Sequence, residues 1–589
     1  MSLKDHLVSK TWLGALEATA PIAAKPQYIL PSVIEDLAES HGDSQALLSA
    51  DGYLTYRALA ECANRTARWA LHQGLAKGDT VCLMMPNRPE YMAIWLGLTS
   101  VGVVVSLINT NLRGRSLAHC IDIVAPRYVI IAEDLIEKFR SAAALLTSRP
   151  KIWTQSGEFD CHAAERFSGE RLTPAERRAV TIADRALLIY TSGTTGLPKA
   201  ANVSHRRLLE WSFWFAGLMN TGPDDRMYDC LPMYHSIGGV VATGAVLVRG
   251  GSVLIREKFV AHQFWNDVVG WHCTLVQYIG ELCRYLINSP KNPLERAHRI
   301  RICCGNGLNA DVWEKFQERF AIPRILEFYA STEGNVSLYN VEGKVGAIGR
   351  IPSFLKHRFP LALVKSDVSS GEPVRDLNGF CIRCATNEVG EAIGRIPKDS
   401  AQLGKEFEGY ASVNDSERKI IRDVFARGDV WYRTGDLMRM DAAGFFYFID
   451  RIGDTFRWKG ENVATSEVAA AIAAFPGIRE ANVYGVRVPS TEGAAGMAAV
   501  VTDVPLDFVA FREHLARWLP PYARPLFVRI TDRIEATDTF KHTKVELARQ
   551  GYDPTATADA IYFDNPDRRA FVRLDGLHYA RIQAGNVRL

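Results

Sequence analysis

The segment Tyr91 to Leu112, YMAIWLGLTSVGVVVSLINTNL, contains no charged side chain and is long enough to cross a bilayer. A chain that carries it must place it in lipid or bury it with cover on every side. Gly97, Thr99, Ser100 and Gly102 interrupt the run where the helix-like Met-Ile-Trp-Leu stretch gives way to Val103-Val104-Val105, and it ends in the polar INTNL. A buried helix followed by a buried parallel strand is the economical reading. A strand covered on both faces needs helices above and below its sheet, so the expected fold is layered α/β.

The same alternation recurs in WALHQGLAKGDTVCLMMP, HCIDIVAPRYVIIAEDLIEKF and ADRALLIYTSG. With 47% hydrophobic and 23% charged residues over 589 positions, the chain is neither mainly disordered nor a polytopic membrane protein. A net charge of +3 argues against nucleic acid as a partner. Eleven cysteines, an odd number scattered along the chain, suit reduced thiols and a cytoplasmic setting. The N-terminus MSLKDHLVSKTWLGALEATA lacks the uninterrupted apolar core of a secretory signal and reads as a short amphipathic helix. From Gly343 the Gly-rich turns of GAIGRIP, GEPVRDLNGF and DAAGFFYFIDRIGD predict an antiparallel β-region ending near Asp450. The expected organisation is a large N-terminal domain, 1–452, of layered α/β subdomains plus a β-subdomain, and a small α+β domain, 453–589.

The most informative stretch is Tyr190-Thr191-Ser192-Gly193-Thr194-Thr195-Gly196-Leu197-Pro198-Lys199-Ala200, directly behind an apolar strand. Glycines and small hydroxyl residues let backbone N–H groups wrap an oxyanion, and Lys199 adds a cation, which is phosphate chemistry. It is not a Walker A loop, because Pro198 precedes the lysine and Ala200 follows it. Thr332 and Glu333 stand in a polar STEGN loop after the strand-like ILEFY. That is a strand-end position where α/β proteins build sites, and it offers the oxygen ligand a hard Mg²⁺ ion requires. Gly305-Asn306-Gly307 follows the strand-like RIRICC and permits close approach of the backbone to a ligand, or forms a plain turn.

TSGTTGLPKA resembles the phosphate-binding signature of the AMP-forming adenylating enzymes. LPMYHSIGG at 231–239, YASTEG at 329–334, YRTGDL at 432–437 and DRIGDTFRWKGENVAT at 450–465 follow in that superfamily's order. The variants NTNLRGRSLAHC, FYASTEGNVSLYN and TFKHTKVELARQGYDP look most like the fatty acid transport proteins, or very-long-chain acyl-CoA synthetases. The resemblance implies that a fatty carboxylate attacks the α-phosphate of Mg-ATP, and that coenzyme A then displaces AMP. The alternatives are another carboxylic acid–CoA ligase, for a bile acid-like or aryl acid, and a non-catalytic uptake component.

By resemblance, Thr191, Ser192, Gly193, Thr194, Thr195 and Lys199 hold phosphates. Glu333 holds Mg²⁺ and Thr332 contacts phosphate, while Tyr329 stacks on adenine beside Gly305-Asn306-Gly307. Asp436 accepts hydrogen bonds from the ribose hydroxyls, Arg451 stands near ribose and phosphate, and His235 lies beside the substrate carboxylate. Aligning T-x-T-F-K puts the adenylation lysine at Lys541, with Lys544 the competitor; Asp538 replaces a glycine usual there. The small domain is expected to swivel about Gly453 and Asp454, with Trp458, Lys459 and Gly460 serving the coenzyme A step. Trp211, Phe213, Trp214 and Phe215 are core residues or line an acyl tunnel. Cys381 and Cys384 form a CxxC with no second ligand pair, and the basic C-terminal tail folds back as a last helix or touches anionic lipid. Peripheral membrane contact stays open, and oligomeric state and chain length are not legible.

Overall fold

The structure, a computed structural model, describes residues 3–154, 166–191, 197–367, 370–397, 407–458, 461–489, 493–535, 544–565 and 568–587. The chain packs as two compact units, one of Met1–Pro360, Gly394–Ile421 and Val430–Tyr432, the other of Leu361–Ile393, Arg422–Asp429 and Arg433–Leu589. Compactness thus groups 361–393 and 433–452 with the C-terminal segment, upstream of the 452/453 boundary. One reason is local: Asp450 caps the helix Thr465–Ala473, accepting from the Thr465 backbone at 2.6 Å and from its hydroxyl at 2.9 Å.

The first unit is layered α/β, as the alternation predicts. In one sheet, Lys151–Thr154, Tyr128–Ile131, Thr80–Met84, Val104–Leu107 and Arg185–Thr191 run parallel, and Lys199–Ser204 returns antiparallel at the edge. The second sheet has eight strands among the described residues. Its parallel centre passes through Arg226–Asp229, Leu275–Ile279, Ile302–Asn306 and Ile325–Ala330, and Ser337–Asn340 lies antiparallel at one edge.

The uncharged run resolves as expected into the helix Pro89–Ser100 and the strand Val104–Leu107. Tyr91, Trp95 and Leu98 are wholly buried, so the absence of charge reflects cover on all sides. No helix among the described residues is long and apolar enough to cross a membrane. Gly97 is required by packing: a Cβ there would lie 2.3 Å from the Ala63 carbonyl oxygen of the helix Tyr56–His72.

The N-terminal helix, Leu3–Thr19, has one covered face, with Trp12 and Ala15 buried, while His6, Lys10 and Glu17 are exposed. In the second unit, the strands Ile478–Val486, Ala495–Thr502, Phe527–Ile530, Ala560–Asn565 and Ala570–Arg573 form a mostly antiparallel sheet. Phe511 of the helix Phe508–Trp518 packs in the core with Phe527 and Phe563. The C-terminal tail folds back as the helix Gly576–Gln583, burying Ile582 and donating from Gln583 to the Tyr552 hydroxyl at 2.9 Å.

Gly97→Val should destabilise the first unit by about 1–3 kcal/mol, because neither helix backbone can yield to the added atoms. A thermal melt checks this, and an unchanged midpoint contradicts the close crossing.

Candidate functional site

In the first unit the phosphate-motif strand ends at Thr191, whose register partner on the returning strand is Lys199. Ser192, Gly193, Thr194 and Thr195, between them in sequence, lie outside the described residues. A distant segment adds to the edge of this hairpin: Asn202 donates to the Gly409 carbonyl at 3.0 Å, Ala411 donates to Ala200 at 2.8 Å, and Ala201 bridges Tyr410. Its arrival places Asp415 2.9 Å from Lys199, whose ammonium also stands 5.5 Å from the centre of the Tyr410 ring. The cation the sequence suggested at Lys199 is therefore paired. Burial works against Asp415, but Lys199 holds its carboxyl below the usual range.

The same segment completes the surroundings of Glu333, which is 7% exposed. Tyr410 donates to Glu333 Oε1 at 2.9 Å and Tyr432 donates to the same oxygen at 3.1 Å. Burial, with the carboxylate alongside, pushes both phenols far above their ordinary range, so they remain donors. Gly334 is small because a Cβ there would lie 2.4 Å from the Tyr432 ring. The Thr332 carbonyl accepts from Arg207 at 2.6 Å, and the Thr332 hydroxyl lies 3.1 Å from Ser236 Oγ. His235 precedes that serine, its ring 4.8 Å from Tyr234. Arg207 is fixed in turn by Glu408 at 3.2 Å.

A half-open cleft of about 1120 Å³, counting solvent at its mouth, passes Ser331, Thr332 and Ser236. Trp211, Trp214 and Phe215 of the helix His205–Met219 line it, facing Phe328, Tyr339 and Phe359. Phe213 does not: its ring lies 5.8 Å from the Arg249 guanidinium. One wall includes Ile237 and Val241 of the π-helix Ile237–Ala242, a backbone form that concentrates at functional sites.

Gly305 and Gly307 are dictated by close approach. A Cβ on Gly305 would lie 2.2 Å from the Tyr278 carbonyl oxygen, and Gly307 adopts φ +81°. Below this turn the buried Glu327 accepts from the Leu308 N–H at 3.1 Å and from the Tyr278 hydroxyl. Burial pushes its carboxyl up to about 8 despite those donors. Asn306 Oδ1 is buried without a hydrogen-bond partner among the described residues, an acceptor suited to a ligand donor. Tyr329 stands on the neighbouring strand, half-buried, opposite Leu338.

In the second unit Asp436 pairs in register with Arg451, with 3.6 Å between Arg451 Nε and Asp436 Oδ1. The strand segment before it is held by a residue the sequence reading missed: Glu391, fully buried, accepts from the Gly435 N–H at 3.1 Å and from Arg433 Nη2 at 2.9 Å. Gly453 is exposed, and the Asp454 N–H closes a turn onto Arg451 at 3.0 Å. Trp458 is 5% exposed in the unit's core, so it anchors its strand and is not presented to solvent. Lys459, Gly460 and Lys541 lie outside the described residues. Lys544 donates to Thr465 Oγ1 at 2.6 Å and stands 3.7 Å from Asp454.

Among the described residues no cluster of three or more His, Cys, Asp or Glu could hold a metal, and this covers Cys381 and Cys384. A divalent ion here would need ligand oxygens beside a single carboxylate. Glu333 fits that role, because both phenols use its Oε1 and its neighbours are oxygen donors.

Family models described as "AMP-binding enzyme" and "AMP-binding enzyme C-terminal domain" match residues 34–369 and 467–541. The chain is 38% identical over 572 residues to long-chain fatty acid transport protein 1 of Mus musculus, covering 95% of this chain and 88% of that protein. It is 40% identical to long-chain fatty acid transport protein 2 of Rattus norvegicus, covering 89% and 86%. The fold matches ATP-bound MatB from Rhodopseudomonas palustris with a TM-score of 0.74 at 22% identity, covering 90% and 100%. It also matches O-succinylbenzoate coenzyme A synthetase from Bacillus subtilis in complex with AMP, with a TM-score of 0.69 at 20% identity, covering 88% and 98%.

Glu327 generates a prediction about pH. Its native carboxyl titrates near 8 against an ordinary value of 4.5, so the folded state holds a proton that the unfolded chain releases first. The resulting contribution is complete below about 4.5 and lost as pH rises through about 8. Wild type should therefore lose stability relative to Glu327→Gln across that window; denaturant unfolding at stepped pH measures the difference, and a flat one contradicts the assignment.

Proposed function

Because the chain belongs to the AMP-binding enzyme family, we propose that it activates a long-chain or very-long-chain fatty acid in two steps. The carboxylate attacks the α-phosphate of ATP, forming acyl-adenylate and releasing pyrophosphate; the thiol of coenzyme A then displaces AMP. The observation that carries the proposal is the meeting of Glu333, Thr332 and an aromatic cleft at one end of a parallel sheet. An anionic head and an apolar tail are each offered their own surroundings there.

The chain's own residues supply orientation and charge neutralisation, since both nucleophiles come from substrates. Lys199 and the backbone of the Thr191-to-Thr195 segment hold phosphate oxygens. Tyr410 and Tyr432 fix the Glu333 carboxylate, and Arg207 fixes the Thr332 backbone, so neither must reorganise when a nucleotide arrives. Glu333 would hold Mg²⁺, which when bound offsets phosphate charge. Gly305, Asn306, Gly307 and Tyr329 form the adenine side. His235 is assigned to the carboxylate side. Asp436 and Arg451 take the ribose, and Lys541 faces the α-phosphate during the first step. Motion of 453–589 about Gly453 and Asp454 serves the second step, with Lys459 and Gly460 in the coenzyme A path. Contact with a membrane surface, at the cytoplasmic side, would suit a substrate that partitions into lipid.

The size of the cleft, about 1120 Å³, favours a long alkyl chain over a small aryl acid, and the residues assigned to phosphate, ribose and carboxylate favour an enzyme over a passive carrier. The deciding experiment offers alkanoic, aryl and bile acids with ATP, Mg²⁺ and coenzyme A, and measures AMP and acyl-CoA. Preference for an aryl acid over palmitate overturns the long-chain reading; absence of AMP with every acid overturns the enzymatic one.

Glu333→Gln should cost the adenylation step about 2 kcal/mol or more while leaving the fold intact. Near wild-type pyrophosphate release by the folded variant removes Glu333 from the site. Lys541→Ala should cripple adenylate formation yet spare thioester formation from supplied acyl-adenylate. Lys544→Ala, which loses bonds to Thr465 and Asp454, should spare the first step. Reversal of these two patterns in separately measured half-reactions would assign the role to Lys544.

A further inference from the structure

One wall of the aromatic cleft lies outside the α/β scaffold. It is the N-terminal helix Leu3–Thr19, which precedes residue 34, where the match to the family begins. This helix crosses the cleft-lining helix His205–Met219 at glycine distance: a Cβ on Gly217 would lie 2.4 Å from Ala15 Cα, and one on Gly14 would lie 3.3 Å from the Gly217 carbonyl oxygen. At Gly217 a side chain would force the two helices apart, and at Gly14 it would press on the Gly217 carbonyl.

The crossing drives Trp12, 1% exposed, against three rings of the cleft. Its ring centre is 6.0 Å from Trp214, 5.9 Å from Tyr339 and 6.2 Å from Phe359, each in an edge-on arrangement. One turn later, Leu16 lines the cleft directly, followed by Thr19 and Ala20. Close-packed interiors do not adjust smoothly, so these side chains bound the cavity on this side, Leu16 directly and Trp12 through the rings it supports.

We infer that the N-terminal helix is the chain-length gauge of this protein, with Trp12 and Leu16 stopping the methyl end of the acyl chain. The inference rests on the reading that this cleft holds the acyl chain. It assigns specificity to a segment outside the matched family region, with no role for it in the chemistry.

The test uses the full chain with Trp12→Ala, which hollows the stop, and Leu16→Trp, which advances it. Each is assayed for AMP release with octanoate, laurate, palmitate and lignocerate, and for binding of the same acids by displacement of a fluorescent fatty acid. Thermal melting confirms that each variant is folded. Trp12→Ala should raise the ratio of lignocerate to laurate kcat/KM by about tenfold, and Leu16→Trp should lower it by about tenfold, with octanoate changing by less than about twofold. Activation with an unshifted length profile in folded variants overturns the gauge and leaves the proposed function standing. A shifted binding profile without AMP release leaves the gauge standing and overturns the activity. No binding of any acid by wild type overturns both.

Discussion

The site in the first unit depends on a buried carboxylate that two phenols hold through one of its oxygens. Glu333 follows the parallel strand Ile325–Ala330, Tyr410 comes from a segment stitched to the edge of the phosphate-motif hairpin, and Tyr432 lies near the start of the strand Val430–Met440. A carboxylate oxygen taken out of water needs hydrogen-bond donors in place of it, and the two phenols supply them. Three stretches far apart in sequence must therefore come together before the carboxylate has its partners. Architecture and chemistry meet in that requirement: the sheets bring the three ends together, and the phenols make their meeting useful.

Much of the fold was legible because its signals are local. The uncharged run carried glycines and a β-branched tail that distinguish a buried helix and strand from a membrane span, and Gly97 at the helix crossing shows why glycine stands there. The ordered motifs identified the family, which the comparisons bear out. The supporting partners were not legible. Tyr410, Asp415, Glu391 and Glu327 act through neighbours distant in sequence and belong to no spacing pattern. Helical position separates the aromatic segment of the cleft wall: Trp211, Trp214 and Phe215 face the cavity, while Phe213 turns toward Arg249.

The second unit repeats the scheme at smaller scale. Glu391 carries a buried charge, neutralised by Arg433, and spends its remaining capacity on the Gly435 backbone just before Asp436. Asp450 does the same for the Thr465 helix, with Lys544 bonded to that threonine's hydroxyl. In each case a carboxyl group is immobilised by a partner of opposite sign or by backbone donors, and the residue next along the chain inherits its position.

On the proposed reading that Lys199 receives phosphate, its pairing with Asp415 at 2.9 Å has a consequence for selectivity. Any anion that takes the ammonium must outbid a carboxylate already in contact with it. Chloride or a single carboxylate offers no more charge than the incumbent and gains little by exchange. A triphosphate carries several negative charges and can engage neighbouring donors at the same time, so it wins where simple ions do not. The ion pair thus acts as an entry threshold, keeping the lysine out of circulation in a solution crowded with small anions.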